Sequence, residues 1–258
     1  MAAPPRTIEL AGRRVNRIGL GTNRLTDTPE NRSFVERAAA AGIGMIDTAH
    51  LYSGGSSEAT IGGVLAGLPD SVVVATKGGY HGGGPRQLRA EIEHSLERLR
   101  VGTIQLYYLH RMDPETSLEE SVRVIAEYRD AGRIAHVGLS EVGVEHIARV
   151  GAVVPIAAVQ NEYSLLERRH DDVVDFCASE GIAFVPYFPL RGGDPPAVRE
   201  VAERYETSTH QIKLAWLLAR SPSVVPIPGT LSLDHLEQNI AAFDVELADE
   251  DFRELSEA

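Results

Sequence analysis

Four residues in the first half of the chain carry the side chains of a proton-delivery device: Asp47, Tyr52, Lys77 and His110. Lys77 closes the apolar run Val72-Val73-Val74-Ala75-Thr76. An ammonium carried into such surroundings is costly unless a carboxylate neutralises it. Asp47, at the end of the preceding apolar run, is the expected partner. Tyr52 follows in the loop above Asp47. A cation beside a phenol favours the phenolate, so the phenol releases its proton more readily. Such a tyrosine can protonate a carbonyl oxygen as charge develops there. His110 ends a further apolar run and can hydrogen-bond the same oxygen, fixing its orientation. Together the four can protonate an alkoxide while a second agent delivers hydride. Singly, each also has a plain structural reading, because a Lys–Asp pair is more often an ion pair than a catalytic one.

Strand ends must hold these residues. Short β-branched runs occur at 18–22, 44–48, 72–77, 104–110, 135–140, 157–161, 183–188 and 224–227. Most are apolar throughout, which suits strands covered on both faces. Between them lie amphipathic stretches. Leu88, Ile92, Leu96 and Leu99 share one helical face, as do Leu118, Val122, Ile125 and Tyr128. Helices are also expected at 171–179, and in direct succession at 195–206 and 209–220. The alternation predicts an α/β fold, a (β/α)8 TIM barrel occupying 1–258 as a single domain. A doubly wound open sheet is the alternative. Residues 7–16 read as a short N-terminal β-hairpin capping the barrel bottom. Active sites of such barrels lie at the C-terminal strand ends, where Asp47, Lys77 and His110 converge.

Composition excludes several classes. With 25 basic and 37 acidic residues the net charge is −12, which argues against nucleic-acid binding. One cysteine, Cys177, allows no internal disulfide and suits a reducing, cytoplasmic setting. Residues 1–10 lack a signal-peptide core, and no apolar run approaches a membrane span of roughly 20 residues. Gly19-Leu20-Gly21-Thr22 is not a dinucleotide fingerprint, and the glycines at 78–84 are not a phosphate loop. His110-Arg111-Met112-Asp113 has no second ligand pair, so no metal is expected. Only two of the basic residues are lysines, Lys77 and Lys213. Lys213 falls in a predicted helix where arginine should replace it. Lys77 needs a compact ammonium beside a phenol, which a guanidinium does not supply as well.

The segment Asp47-Thr48-Ala49-His50-Leu51-Tyr52-Ser53-Gly54-Gly55-Ser56-Ser57-Glu58 resembles the signature of the aldo-keto reductases. Tyr107–Arg111, Val137–Glu141, Val159–Ser164 and Ile227–Thr230 with His235–Asn239 resemble later family segments, in the correct order. The resemblance implies a (β/α)8 barrel that reduces aldehydes or ketones with NADPH, NADH being the alternative. It implies Tyr52 as general acid, Lys77 as its activator, Asp47 as the anchor of Lys77, and His110 as the group orienting the carbonyl. It implies a cofactor site of Gly21, Thr22 and Asn23, of Ser140 and Gln160 at the carboxamide, and of Tyr187 stacked on the nicotinamide. Pro189, Leu190, Gly229, Thr230, Ser232, Gln238 and Asn239 complete that site by the same resemblance.

Three departures stand out. Glu141 occupies a position where the family usually has asparagine, and a carboxylate accepts without donating. Residues 228–239 contain no lysine or arginine to grip a 2′-phosphate, leaving Thr230, Ser232 and helix N–H groups. The loop after the third strand and the C-terminal tail are short, which implies an open pocket. Leu51, Tyr80, His81 and Arg111 are the expected substrate contacts. Arg111 either favours an anionic or hydroxylated substrate or serves in a rim salt bridge. The expected partner is a small-molecule carbonyl compound, with no nucleic acid or membrane, and the chain a monomer or small homo-oligomer. Two other readings are a cofactor-binding sensor or regulatory subunit with weak turnover, and a metal-dependent sugar isomerase or epimerase.

Overall fold

The computed structural model describes residues 4–258. Its main sheet has seven parallel strands hydrogen-bonded in chain order. They are β3 (Gly19–Gly21), β4 (Met45–Asp47), β5 (Val73–Gly78), β6 (Ile104–Leu109), β7 (Ile134–Ser140), β8 (Ile156–Gln160) and β9 (Ala183–Phe184). Residues 224–229 close it into a barrel, bridging Phe184 to Val224 on one side and Gly21 to Gly229 on the other. The eighth run is therefore present, but not as a regular strand. Gly19 N–H donates to Pro226 O (2.9 Å) and Gly21 N–H to Pro228 O (3.3 Å). The return bonds are missing because Pro226 and Pro228 have no N–H to give. Pro186 shortens β9 against the same segment in the same way.

Strand periodicity sets what faces inward. Met45, Val73, Ala75, Leu106, Tyr108, Ala158, Ala183, Val185, Val225 and Ile227 fill the barrel interior. Their neighbours Ile46, Val74, Tyr107, Leu109 and Val159 belong to the layer between sheet and helices. Continuing the alternation by two places brings Asp47, Lys77, His110 and Gln160 inward at the upper rim. At the other end, β1 (Thr7–Leu10) and β2 (Arg13–Asn16) form the expected hairpin. Its turn uses left-handed Ala11 and Gly12, with φ of 50° and 73°. Leu10, Ala11 and Val15 pack into the inner core, and Gln105 Nε2 donates to Ala11 O at 2.7 Å. The hairpin thereby plugs the barrel floor.

Helices α1 (Pro29–Ala40), α2 (Ser56–Gly62), α3 (Pro85–Leu99), α4 (Leu118–Asp130), α5 (Val144–Gly151) and α6 (Asp171–Glu180) follow successive strands. Then α7 (Pro196–Arg204) and α8 (Thr209–Arg220) come in succession, as expected. After the closing segment come α9 (Leu233–Ala241) and α10 (Asp249–Ser256). Lys213 on α8 corrects a sequence expectation. It is buried and paired with Asp194 at 2.5 Å, so it is not an exchangeable surface cation. Both lysines of the chain are buried and ion-paired, Lys213 to a partly exposed aspartate.

Closure also depends on Arg17, which is fully buried with carbonyl groups as its partners. Its guanidinium donates to Val224 O (3.0 Å), Leu218 O (2.9 Å), Pro5 O (2.8 Å) and Ser221 O. Leu218 and Ser221 lie at the C-terminal end of α8, where the helix dipole is negative. Burial lowers the Arg17 pKa to about 10, so it stays charged at neutral pH. Replacing Arg17 with Leu leaves several buried carbonyls unsatisfied, at about 1–3 kcal/mol each. Arg17→Leu should therefore lower the urea-derived unfolding free energy by about 2–4 kcal/mol, and a loss below a few tenths would contradict this role.

Candidate active site

Lys77 is fully buried and Asp47 is 2% exposed. The Lys77 Nζ donates to Asp47 Oδ2 at 2.7 Å, to Thr48 O at 2.7 Å and to Tyr52 Oη at 3.3 Å. All three ammonium protons are thus committed. The other Asp47 oxygen accepts from Gln160 Nε2 at 2.7 Å. Burial alone would push Lys77 towards neutrality, but Asp47 and then Tyr52 more than reverse this, so its pKa is raised. Tyr52 reaches the ammonium through a tight turn in which Ser53, Gly54 and Gly55 all have positive φ. A Cβ on Gly55 would lie 2.3 Å from the Arg98 guanidinium. After this turn α2 returns Ser57 and Glu58 to the sheet. Ser57 Oγ meets Thr22 Oγ1 (2.9 Å) and Thr48 Oγ1 (2.7 Å), tying together the loops after β3 and β4.

His110 faces Tyr52 edge-on, with centroids 6.0 Å apart. Its Nδ1 is buried without a partner, which leaves Nε2 as the nitrogen facing the cavity. Burial first, then Lys77, Arg111 and His81, push its pKa down to about 2. The imidazole is neutral across the working range and acts as a hydrogen-bonding group.

A cavity of about 1080 Å³ opens above these residues. Asp47, Tyr52 and His110 line it, and Lys77 lies behind them. Gly21, Thr22, Asn23, Ser140, Gln160, Tyr187, Pro189, Leu190, Gly229, Thr230 and Ser232 also line it. Leu51, Tyr80 and Arg111 do so as well. His81 does not. It lines a smaller cleft of about 210 Å³ with His50, Glu91 and Arg98. Gln238 and Asn239 lie on α9 away from the cavity wall, Gln238 exposed and Asn239 buried. Sequence reasoning missed Arg24, Phe188, Arg191, Leu231 and His235 on the wall. Arg24 is the plainest omission, as a cation directly after Asn23. Phe188 is 52% exposed and has a φ of 51°, which no sequence pattern announces for a phenylalanine.

Glu141 has a φ of 57°, a backbone position that asparagine occupies more readily than glutamate. Its carboxylate accepts from Glu162 N–H at 2.6 Å and lies near the Tyr187 phenol, whose pKa burial first and then this charge push up. Arg111 forms no salt bridge among the described residues. Its partners are His110 O (2.7 Å), Ser140 Oγ (3.1 Å) and Tyr187 Oη (3.5 Å). The described residues gather no group of three or more His, Cys, Asp or Glu side chains able to hold a metal ion. No helix among them is long and apolar enough to cross a membrane.

The Aldo/keto reductase family model matches residues 17–195 and 194–258. The chain belongs to the aldo/keto reductase family. An uncharacterized oxidoreductase of Schizosaccharomyces pombe is 36% identical over 97% of this chain and 89% of its own length. Pyridoxine 4-dehydrogenase of Escherichia coli is 32% identical over 95% of each chain. Among solved structures, an aldo/keto reductase from Klebsiella pneumoniae in complex with NADP and acetate superposes with a TM-score of 0.88. It is 27% identical and covers 98% of this chain, which covers 94% of it. For this aldo/keto reductase the barrel is thus shared over nearly the whole chain with a solved member of the family.

His110 makes a pH prediction. An unfolded histidine takes up a proton near pH 6.5, whereas the folded His110 does so only near 2. Between those values the unfolded chain binds more protons, so stability rises with pH. His50, His136 and His170 are lowered in the same direction, chiefly by burial. The thermal midpoint should fall from about pH 7.5 to about pH 5, and fall less in His110→Gln. An equal fall in both proteins would show that His110 does not stay neutral in the fold.

Proposed function

We propose that this reductase converts an aldehyde or ketone to an alcohol, with Tyr52 as the proton donor. The observation that carries the assignment is the single chain of contacts Gln160–Asp47–Lys77–Tyr52, with Gln160, Asp47 and Lys77 at strand ends, Tyr52 in the turn after β4, and every member but Lys77 lining the cavity. A substrate oxygen placed between Tyr52 Oη and His110 Nε2 accepts two hydrogen bonds. As negative charge develops on that oxygen, Tyr52 passes its proton to it. The phenolate that remains lies 3.3 Å from the Lys77 ammonium, which stabilises it. Asp47 keeps that ammonium charged and aimed. His110, already neutral, orients the oxygen and does not supply the proton.

The cavity residues fit a nicotinamide dinucleotide. Ser140 and Gln160 are register partners across β7 and β8, two polar groups side by side for an amide. Tyr187 presents a half-buried ring beside them. Gly21, Thr22, Asn23, Pro189 and Leu190 form the adjoining wall, with Gly229, Thr230 and Ser232 following the closing segment. When bound, such a cofactor supplies the hydride. We assign NADPH, supported by the NADP complex of the Klebsiella relative. Arg24 lines the cavity without a side-chain partner among the described residues, so a cation is available for a phosphate although residues 228–239 contain none. Gln238 and Asn239 keep a cofactor role only if the ligand extends over α9. We read 1–258 as one domain, supported by the continuous barrel core, and its setting as cytoplasmic, with no nucleic-acid partner given a net charge of −12. A monomer or small homo-oligomer is the assembly we assign.

Tyr52→Phe should reduce turnover of a simple aldehyde by about 10²–10⁴-fold, while the Kd for NADPH, read by fluorescence, stays within about twofold. Undiminished turnover would remove Tyr52 from the role of proton donor.

A further inference from the structure

Arg111 follows His110 directly, and its donors can be counted. An arginine has five N–H groups. Nη1 spends both protons on the protein, at His110 O (2.7 Å) and Ser140 Oγ (3.1 Å). Nη2 spends one, over a long 3.5 Å, on Tyr187 Oη. The Nε proton and the second Nη2 proton have no acceptor among the described residues. Two donors of the planar guanidinium are thus unspent, and a guanidinium with free donors suits a carboxylate.

No carboxylate forms an ion pair with this cation among the described residues, and Glu141 acts on the Tyr187 phenol that Arg111 reaches without touching Arg111 itself. Tyr80 and Tyr187 flank the cation, with Cζ 5.4 Å and 5.8 Å from the ring centroids. Such contacts hold a guanidinium in place without neutralising it. Asp47 is the one carboxylate on the cavity wall, and it is already paired with Lys77. Of the other arginines there, Arg191 is paired with Glu162. A chain of net charge −12 has thus left a fixed positive charge inside its main cavity, where field lines draw in anions.

Position separates this cation from Arg24. Tyr80, on which Arg111 rests, meets the His110 ring at 4.9 Å, and His110 faces Tyr52 at 6.0 Å. The Arg111 guanidinium therefore lies on the same stretch of cavity wall as His110 and Tyr52, where the reacting carbonyl is placed. We propose that Arg111 forms an anion subsite for the substrate, and that this reductase prefers aldehydes or ketones bearing a carboxylate a few bonds from the carbonyl. The inference rests on the carbonyl-reductase reading above and adds the substrate class to it.

The test compares succinate semialdehyde with butanal, which share a four-carbon chain but differ in the carboxylate. The wild-type kcat/KM should favour the semialdehyde by about tenfold or more. Arg111→Gln should bring that ratio close to one, and Arg111→Lys, which keeps charge without the fork, should retain part of it. A ratio near one in the wild type, or unchanged in Arg111→Gln, overturns the proposal. So does an equal loss on both aldehydes, which would place Arg111 on the cofactor. If neither aldehyde is reduced, the reductase reading fails and calorimetry with succinate still decides the subsite. Heat seen with the wild type and lost in Arg111→Gln supports it, and equal or absent heat in both overturns it. Far-ultraviolet circular dichroism and thermal midpoints confirm that the variants are folded.

Discussion

The ammonium of Lys77 has lost all contact with water, and the barrel supplies three acceptors in its place. An ion pair so deeply buried is weak evidence for stability, because desolvation can exceed the Coulombic gain. Its retention makes sense through what it does to Tyr52. The rest of the rim serves that contact. Gln160 holds the free oxygen of Asp47, so the carboxylate cannot swing away from the lysine. On the outer face of the same strand, Thr76 Oγ1 donates to the buried Glu58 at 2.6 Å, and Arg98 reaches Glu58 and His50 O from α3. These bonds fix the strand end and the turn that carries Tyr52.

Much of this was legible in the sequence because strand periodicity is strict. Once the apolar runs are strands, Asp47, Lys77 and His110 fall on one face at one end, and an unpaired buried lysine demands a carboxylate. The same logic gave the hairpin and the paired helices α7 and α8. What escaped was tertiary. Lys213 lies on an ordinary amphipathic helix, and only the approach of Asp194 from the loop before α7 gives its buried ammonium a carboxylate. Pro226 and Pro228 are visible in the sequence, but their cost to one side of the ladder depends on which N–H groups face β3. Gln238 and Asn239 followed from resemblance alone, and neither lines the cavity.

The basic residues divide by job. The two lysines are buried, each beside an aspartate. Arginine takes the tasks that need several donors: Arg17 gathers carbonyls at the barrel seam, and Arg111 keeps unspent donors on the cavity wall. The acidic surface and the positive cavity are therefore parts of one arrangement. Bulk negative charge suits solubility, while Arg24 and Arg111 place two cations on the wall of the main cavity.

The central claim is that a charged Lys77 makes Tyr52 an effective acid. It is tested most directly by the single-turnover rate of aldehyde reduction in Lys77→Met, measured with NADPH bound beforehand. The account predicts a loss of about 10²–10⁴-fold, with cofactor affinity and fold retained. A rate within about threefold of the wild type would contradict it, since the phenol would then be shown to give up its proton without the ammonium beside it.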